Sequence, residues 1–138
     1  PYLIKNGDVI FLSRGKHRCA TLVEGLPDSP QAIALYYFFI LKPNPELVDS
    51  TFLAWVINQP GPQDFLARSA TGSTVPFITK QWFSRLEVDI PDRKTQESIS
   101  ELCRLVQLER RNLLKLMQQR AVLANSICQK LLTKQQGL

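Results

Sequence analysis

The sequence predicts an α/β (α+β) fold: a small mixed-sheet body followed by one long C-terminal helix of the coiled-coil type. Three observations carry this. Short β-rich apolar runs broken by turn residues fill the opening third. Capped segments with apolar residues at helical spacing come next. From about Asp92 to Lys134 there is then neither proline nor glycine, and apolar residues recur by steps of three, four or seven.

Taken in order, Asn6-Gly7-Asp8 is a turn, and "VIFLS" after it is apolar on both faces, as a buried strand is. "RGKHR" (Arg14–Arg18) is a polar loop, and "CATLV" (Cys19–Val23) reads as the returning strand of a hairpin. Gly25–Pro30 is loop by composition. The aromatic run Ala32–Leu41 is short for a helix and is read as one core strand. Asp49 can cap a helix to about Asn58, because its carboxylate accepts otherwise unpaired N–H groups. Phe52, Leu53, Val56 and Ile57 share one face of that helix. "QDFLARSA" reads as a second helical segment, Thr79 as the cap of a short turn holding Trp82 and Phe83, and Arg85–Ile90 as a strand. Phe77, Ile78 and Trp82 are expected to anchor that strand in the core.

In the long C-terminal segment, Ile99, Leu102, Val106, Leu113, Met117, Ala124, Cys128 and Leu131 form one helical stripe. At 1.5 Å per residue such a helix is roughly 60 Å long, more than the small body can cover. A solvated helix with an apolar stripe requires a partner helix, although Glu109 and Arg120 interrupt a strict heptad. The plainer alternative is a helix packed on its own domain.

Composition excludes several function classes. The 138 residues suit one domain with a sizeable core. Three widely spaced cysteines and a single histidine, His17, offer neither a disulfide framework nor a multi-ligand metal site, and fit a reducing cytoplasm. No apolar run is long enough to span a bilayer. The net charge of +5 is uneven: residues 1–92 hold 8 Lys+Arg against 9 Asp+Glu, whereas residues 93–138 hold 9 against 3. A basic balance points to nucleic acid or to an acidic protein partner.

No motif for catalysis is present. "ATGSTVPFITKQWF" (Ala70–Phe83) has a glycine and hydroxyls but lacks P-loop spacing and a G-x-S-x-G elbow. Carboxylates are scattered singly, so no metal nuclease is supported, and no cofactor is implied. Two polar loops remain as candidate sites. Arg14, Lys16, His17 and Arg18 crowd a hairpin tip, where self-repulsion is costly unless an anion visits. Arginine can pair with guanine bidentately, and lysine and histidine can pair with phosphates. Ser73, Thr74 and Lys80 put hydroxyls and a cation on a second exposed segment, suited to phosphate oxygens or base edges. The plain reading of both loops is a solvated surface and a structural joint.

In order along the chain, "IKNGDVIFLSRGK", "ILKPNPELVDSTFLAWVINQPGPQDFL", "ATGSTVPFITKQWFSRLEVDIPD" and "TQESISELCRLV", the last with Gln96, resemble the DNA specificity (S) subunit of type I restriction–modification systems. The resemblance covers nearly the whole chain; no single motif is specific, but the ordered set is. It departs from the family at "PDRKTQ", where a second proline and acidic residues are usual. A complete S subunit also carries two recognition domains, so this chain is expected to be a half-subunit or an N-terminally incomplete fragment. The resemblance implies that residues 1–92 are a target-recognition domain reading half of a bipartite site in double-stranded DNA. It implies that residues 93–138 are a spacer helix pairing with a second recognition domain or a second copy. It further implies a non-catalytic subunit that places a methyltransferase (M) subunit, and through it the restriction (R) subunit, on the target. The rival expectation is a non-enzymatic adaptor whose basic helix binds an acidic protein.

Overall fold

In the computed structural model, residues 2–27 and 32–136 are described. The fold is mixed α and β with a long C-terminal helix, as expected; the strand pairs among the described residues are all antiparallel, where a mixed sheet was expected. Strand β2 (Val9–Leu12) is the centre of a three-stranded sheet. It pairs antiparallel with β3 (Ala20–Leu22) and with β5 (Phe38–Leu41), with Phe11 opposite both Ala20 and Phe39. Being apolar on both faces suits this central place: Val9 and Phe11 are wholly buried, each burial contributing about 1.5–3 kcal/mol. Phe11 packs on Phe83 with ring centroids 4.7 Å apart, and Phe83 packs on Phe39 at 5.2 Å.

The run Ala32–Leu41 is not one strand. Its first residues, β4 (Ala32–Ile33), pair with β1 (Leu3–Ile4) in a separate two-stranded sheet. A turn closed by the Phe38 N–H on the Leu35 carbonyl (3.0 Å) then redirects the chain into β5. High β-propensity is satisfied on both sides of the turn, so it could not reveal the break; two different strand partners impose it. Tyr36 and Tyr37 occupy the turn with their rings edge to face at 5.3 Å. Residues 28–30 of the expected Gly25–Pro30 loop lie outside the described residues.

Helix α1 (Ser50–Ile57) covers the sheet. Asp49 caps it as expected, its carboxylate accepting from the Phe52 N–H at 2.9 Å. Phe52, Ala54 and Ile57 are buried. Just past its end, the Asn58 amide imitates a neighbouring strand, accepting from the Ala20 N–H and donating to the Ala20 carbonyl, both at 2.8 Å. Helix α2 (Pro60–Arg68) follows and buries Leu66. Helix α3 (Lys80–Phe83) is a single turn capped by Thr79.

Arg85–Ile90 is not a strand. Leu86 and Val88 are half-buried between exposed neighbours, so the period-two alternation is real. Side-chain packing alone satisfies it, with no ladder beside this segment among the described residues. Nor do Phe77 and Trp82 anchor the core: they are 42% and 37% exposed, and of the expected trio only Ile78 is buried.

Helix α4 runs from Arg93 to Gln136, 44 residues or about 66 Å. Asp92 caps its start, accepting from the Thr95 N–H (3.0 Å) and hydroxyl (2.9 Å). These bonds favour the charged carboxylate and hold its pKa below the usual value. The chain divides into two compact units, one ending at Glu101 and one beginning at Leu102. The helix therefore begins within the first unit, where Gln96 and Ser100 are buried. The Gln96 amide accepts from the Asp49 N–H (2.9 Å) and donates to the carbonyls of Leu47 (3.2 Å) and Pro91 (2.9 Å). The Ser100 hydroxyl donates to the Asp49 carboxylate. One polar cluster thus joins two caps and the first turns of α4.

In the second unit, Leu102, Val106, Leu113, Met117 and Leu131 are between 52% and 67% exposed, and Ala124 and Cys128 are exposed as well. Ile99 differs: it lies in the first unit and is half-buried. Leu105, Leu116, Leu123 and Ile127 fall on the same face and are 45% or more exposed.

Candidate nucleic-acid interface

The two loops singled out in the sequence are neighbours in the first unit. Beyond Leu12, strand β2 exchanges its hairpin partner for the segment after Gly72. Ile78 N–H donates to the Ser13 carbonyl (2.8 Å), and Gly15 N–H donates to the Pro76 carbonyl (2.8 Å). Arg14 and Phe77 lie opposite each other in this bridge. On its other side Phe77 exchanges hydrogen bonds with Thr71, at 2.8 and 3.0 Å. Two irregular loops are therefore fixed by backbone bonds to a central strand, which limits their freedom to move independently.

Two glycines allow this path. Gly15 (φ +101°) and Gly72 (φ +98°) occupy the left-handed region, which side chains disfavour. At Gly72 a Cβ would also stand 3.0 Å from the Val75 carbonyl oxygen, so any side chain there would be strained and would press on the loop backbone.

Arg14, Lys16, His17, Ser73, Thr74 and Lys80 are all exposed. The Arg14 guanidinium leans on the Tyr36 hydroxyl at 3.3 Å. Arg18 is placed differently. It is half-buried, its Nη1 donates to the Gly15 carbonyl at 3.0 Å, and its buried Nε has no partner. Arg18 thus braces the loop from beneath.

Between Ser13 and Arg14, the Tyr36–Tyr37 turn and Phe77–Lys80 lies an open groove of about 410 Å³. Its floor is aromatic and aliphatic (Tyr37, Phe39, Ile78), and its edges carry Arg14, the Tyr36 hydroxyl, Thr79 and Lys80. Sequence reasoning missed Tyr36, which is 70% exposed, because it was assigned to a core strand. Beyond Lys80, Arg85 lies over the Trp82 ring with 4.8 Å to its centre, which keeps another guanidinium at the surface. Among the described residues no carboxylate forms a salt bridge with Arg14, Lys16 or Lys80, whereas Lys42 pairs with Asp8 and Arg93 with Glu97. The groove rim is therefore cationic and rich in donors. Such a rim can bind phosphate oxygens, and planar groups can lie against its tyrosine and arginine side chains.

Among the described residues no group of three or more His, Cys, Asp or Glu side chains could hold a metal ion. No helix among them is long and apolar enough to cross a membrane. All three cysteines are free, and partial burial pushes the Cys103 thiol above its usual pKa. No family model and no curated protein matches the chain.

Proposed function

We propose that the chain is a DNA target-recognition module, with the rim formed by the Arg14–Arg18 loop and the Ser73–Lys80 segment as its DNA-contacting surface. The observation that carries this is the juxtaposition of the two loops. Arg14, Lys16 and His17 on one and Ser73, Thr74 and Lys80 on the other are exposed and tied to one strand. A rigid double loop with unneutralised cations suits the major groove, where arginine can read guanine and hydroxyls and lysines can fix phosphates. Arg18 supports the loop in this reading, and Tyr36 joins the contact set.

The ordered resemblance to type I specificity subunits supports the same assignment. On it, the module acts in the cytoplasm without catalysing a reaction. It positions M and R subunits on a bipartite target, and its long helix presents an apolar face to a second helix. The apolar stripe of α4, exposed along the second unit, is consistent with that use.

Fluorescence anisotropy of labelled duplex across a salt series tests the reading. Affinity should fall steeply as counterions are released, and Arg14→Ala should lower it by about 1–3 kcal/mol if Arg14 reads a base. A flat salt response, or an unchanged Arg14→Ala, would count against it.

A further inference from the structure

The Arg14 side chain is restrained at both ends. At its base, the backbone lies opposite Phe77, and the adjacent Gly15 N–H donates to the Pro76 carbonyl at 2.8 Å. At its tip, Nη1 donates to the Tyr36 hydroxyl at 3.3 Å. Tyr36 is itself held in place. Its ring meets Tyr37 edge to face at 5.3 Å, and the Tyr37 carbonyl accepts from both the N–H (3.0 Å) and the hydroxyl (2.6 Å) of buried Ser13. Ser13 immediately precedes Arg14, so the anchor of the tyrosine turn and the root of the arginine are neighbours in the chain. An exposed arginine ordinarily samples many rotamers, and this frame narrows them.

The chemistry of the restraint decides what the arginine can bind. A carboxylate partner would occupy two parallel guanidinium N–H groups and neutralise the charge. A phenol hydroxyl does neither. The bond to Tyr36 uses Nη1, and the Nε–Nη2 edge has no partner among the described residues. That edge presents two N–H groups side by side. In the major groove guanine offers two adjacent acceptors, O6 and N7, and is the base that fits such an edge. A phosphate is reached from many directions and requires no held edge, a role that exposed Lys16 and Lys80 suit.

We propose that Arg14 selects a guanine in the DNA target and that Tyr36 is its positioning residue, orienting the guanidinium through the Nη1 bond. This rests on the reading of the surface as DNA-contacting, and it names the base that is read. Tyr36 can touch DNA as well, but its influence on base choice passes through Arg14. Tyr36→Phe separates these roles, because it keeps the exposed ring against Tyr37 and removes only the hydroxyl.

A double-mutant cycle on the full chain, read as base discrimination, tests it. Duplexes are first selected from a random pool by the wild type and by Arg14→Ala, which identifies the position whose preference the variant loses. That position should be a guanine. Fluorescence anisotropy then compares the selected duplex with versions in which this guanine is replaced by adenine, or by an analogue with carbon in place of N7. For the wild type the adenine duplex should bind about 5- to 150-fold more weakly, and the analogue about 2- to 10-fold more weakly. Arg14→Ala should show neither penalty. Tyr36→Phe should cut the guanine-over-adenine ratio by about 2- to 10-fold. In the Arg14→Ala background the same change should leave the ratio where Arg14→Ala alone sets it. A purely structural role of Tyr36 in its turn would weaken both duplexes alike and leave the ratio untouched. The proposal is overturned if Arg14→Ala loses no preference, if the lost position is not a guanine, if Tyr36→Phe keeps the wild-type ratio, or if it alters the ratio equally without Arg14. In each of those cases sequence selection by the wild type still stands. A wild-type pool that stays random removes the DNA reading itself, and this inference with it.

Discussion

Replacing Gln96 by alanine should destabilise the first unit by about 3 kcal/mol. The side chain is 2% exposed and makes three hydrogen bonds, accepting from Asp49 N–H and donating to the Leu47 and Pro91 carbonyls. Truncation leaves the Asp49 N–H beneath the start of α4 without an acceptor, which costs about 1–3 kcal/mol. The two carbonyls border exposed Leu47 and half-buried Pro91, where water can replace the lost donors, so each lost bond is worth only about 0.5–1.5 kcal/mol. The sum lies between about 2 and 6 kcal/mol, a large share of the roughly 5–15 kcal/mol typical of a domain. Urea unfolding followed by Trp55 and Trp82 fluorescence reads the loss, and amide exchange at residues 96–101 should show the first turns of α4 opening first. Gln96→Glu keeps the acceptor but offers no donor at neutral pH, so it should be at least as damaging. Its defect should lessen as acid protonates the new carboxyl. A loss below about 0.5 kcal/mol for Gln96→Ala would refute the idea that this amide holds the two caps together.

Further expectations follow from other positions. Asp92 has its pKa lowered by the Thr95 hydrogen bonds, so its contribution is fully present above the ordinary carboxylate range and is lost as pH falls through the lowered folded value. Asp92→Asn keeps a cap acceptor and should remove that part of the acid sensitivity in a series of melting temperatures; an identical acid response in both proteins would contradict this. Gly72→Ala should cost about 1–3 kcal/mol in thermal unfolding, from its positive φ and the 3.0 Å approach to the Val75 carbonyl, and an unchanged melting temperature would mean the loop is looser than described. Asn58→Asp keeps the acceptor for Ala20 N–H but sets a carboxylate against the Ala20 carbonyl. A loss of about 1–3 kcal/mol in denaturant is expected, and none would show that the strand-like pairing is dispensable.

Local signals made much of the fold legible. Asp49 and Thr79 each cap the helix that their side chains announce, and α4 begins next to Asp92, because capping depends on neighbours only a few residues away. The hairpin and the length of α4 were readable for the same reason. The unreadable parts are non-local. Ala32–Leu41 changes sheets at Tyr36–Tyr37, a break set by the partners of each half rather than by its own composition. Leu86 and Val88 alternate like a strand but obtain their burial without a ladder. At the candidate site, the charged and hydroxyl residues of both loops were visible as residue types. Their adjacency, made by Ile78 on Ser13 and Gly15 on Pro76, was not. Arg18 carries the same charge as Arg14, yet only its partial burial distinguishes the brace from the exposed cation.

The most direct test of DNA recognition is selection of bound duplexes from a random pool by the full chain, carried out in parallel with Arg14→Ala. The account predicts one enriched sequence for the wild type. Preference should be relaxed at one or two positions in the variant, with binding to phosphates largely retained. A wild-type pool that stays random while still binding through its charge would contradict sequence recognition by this surface.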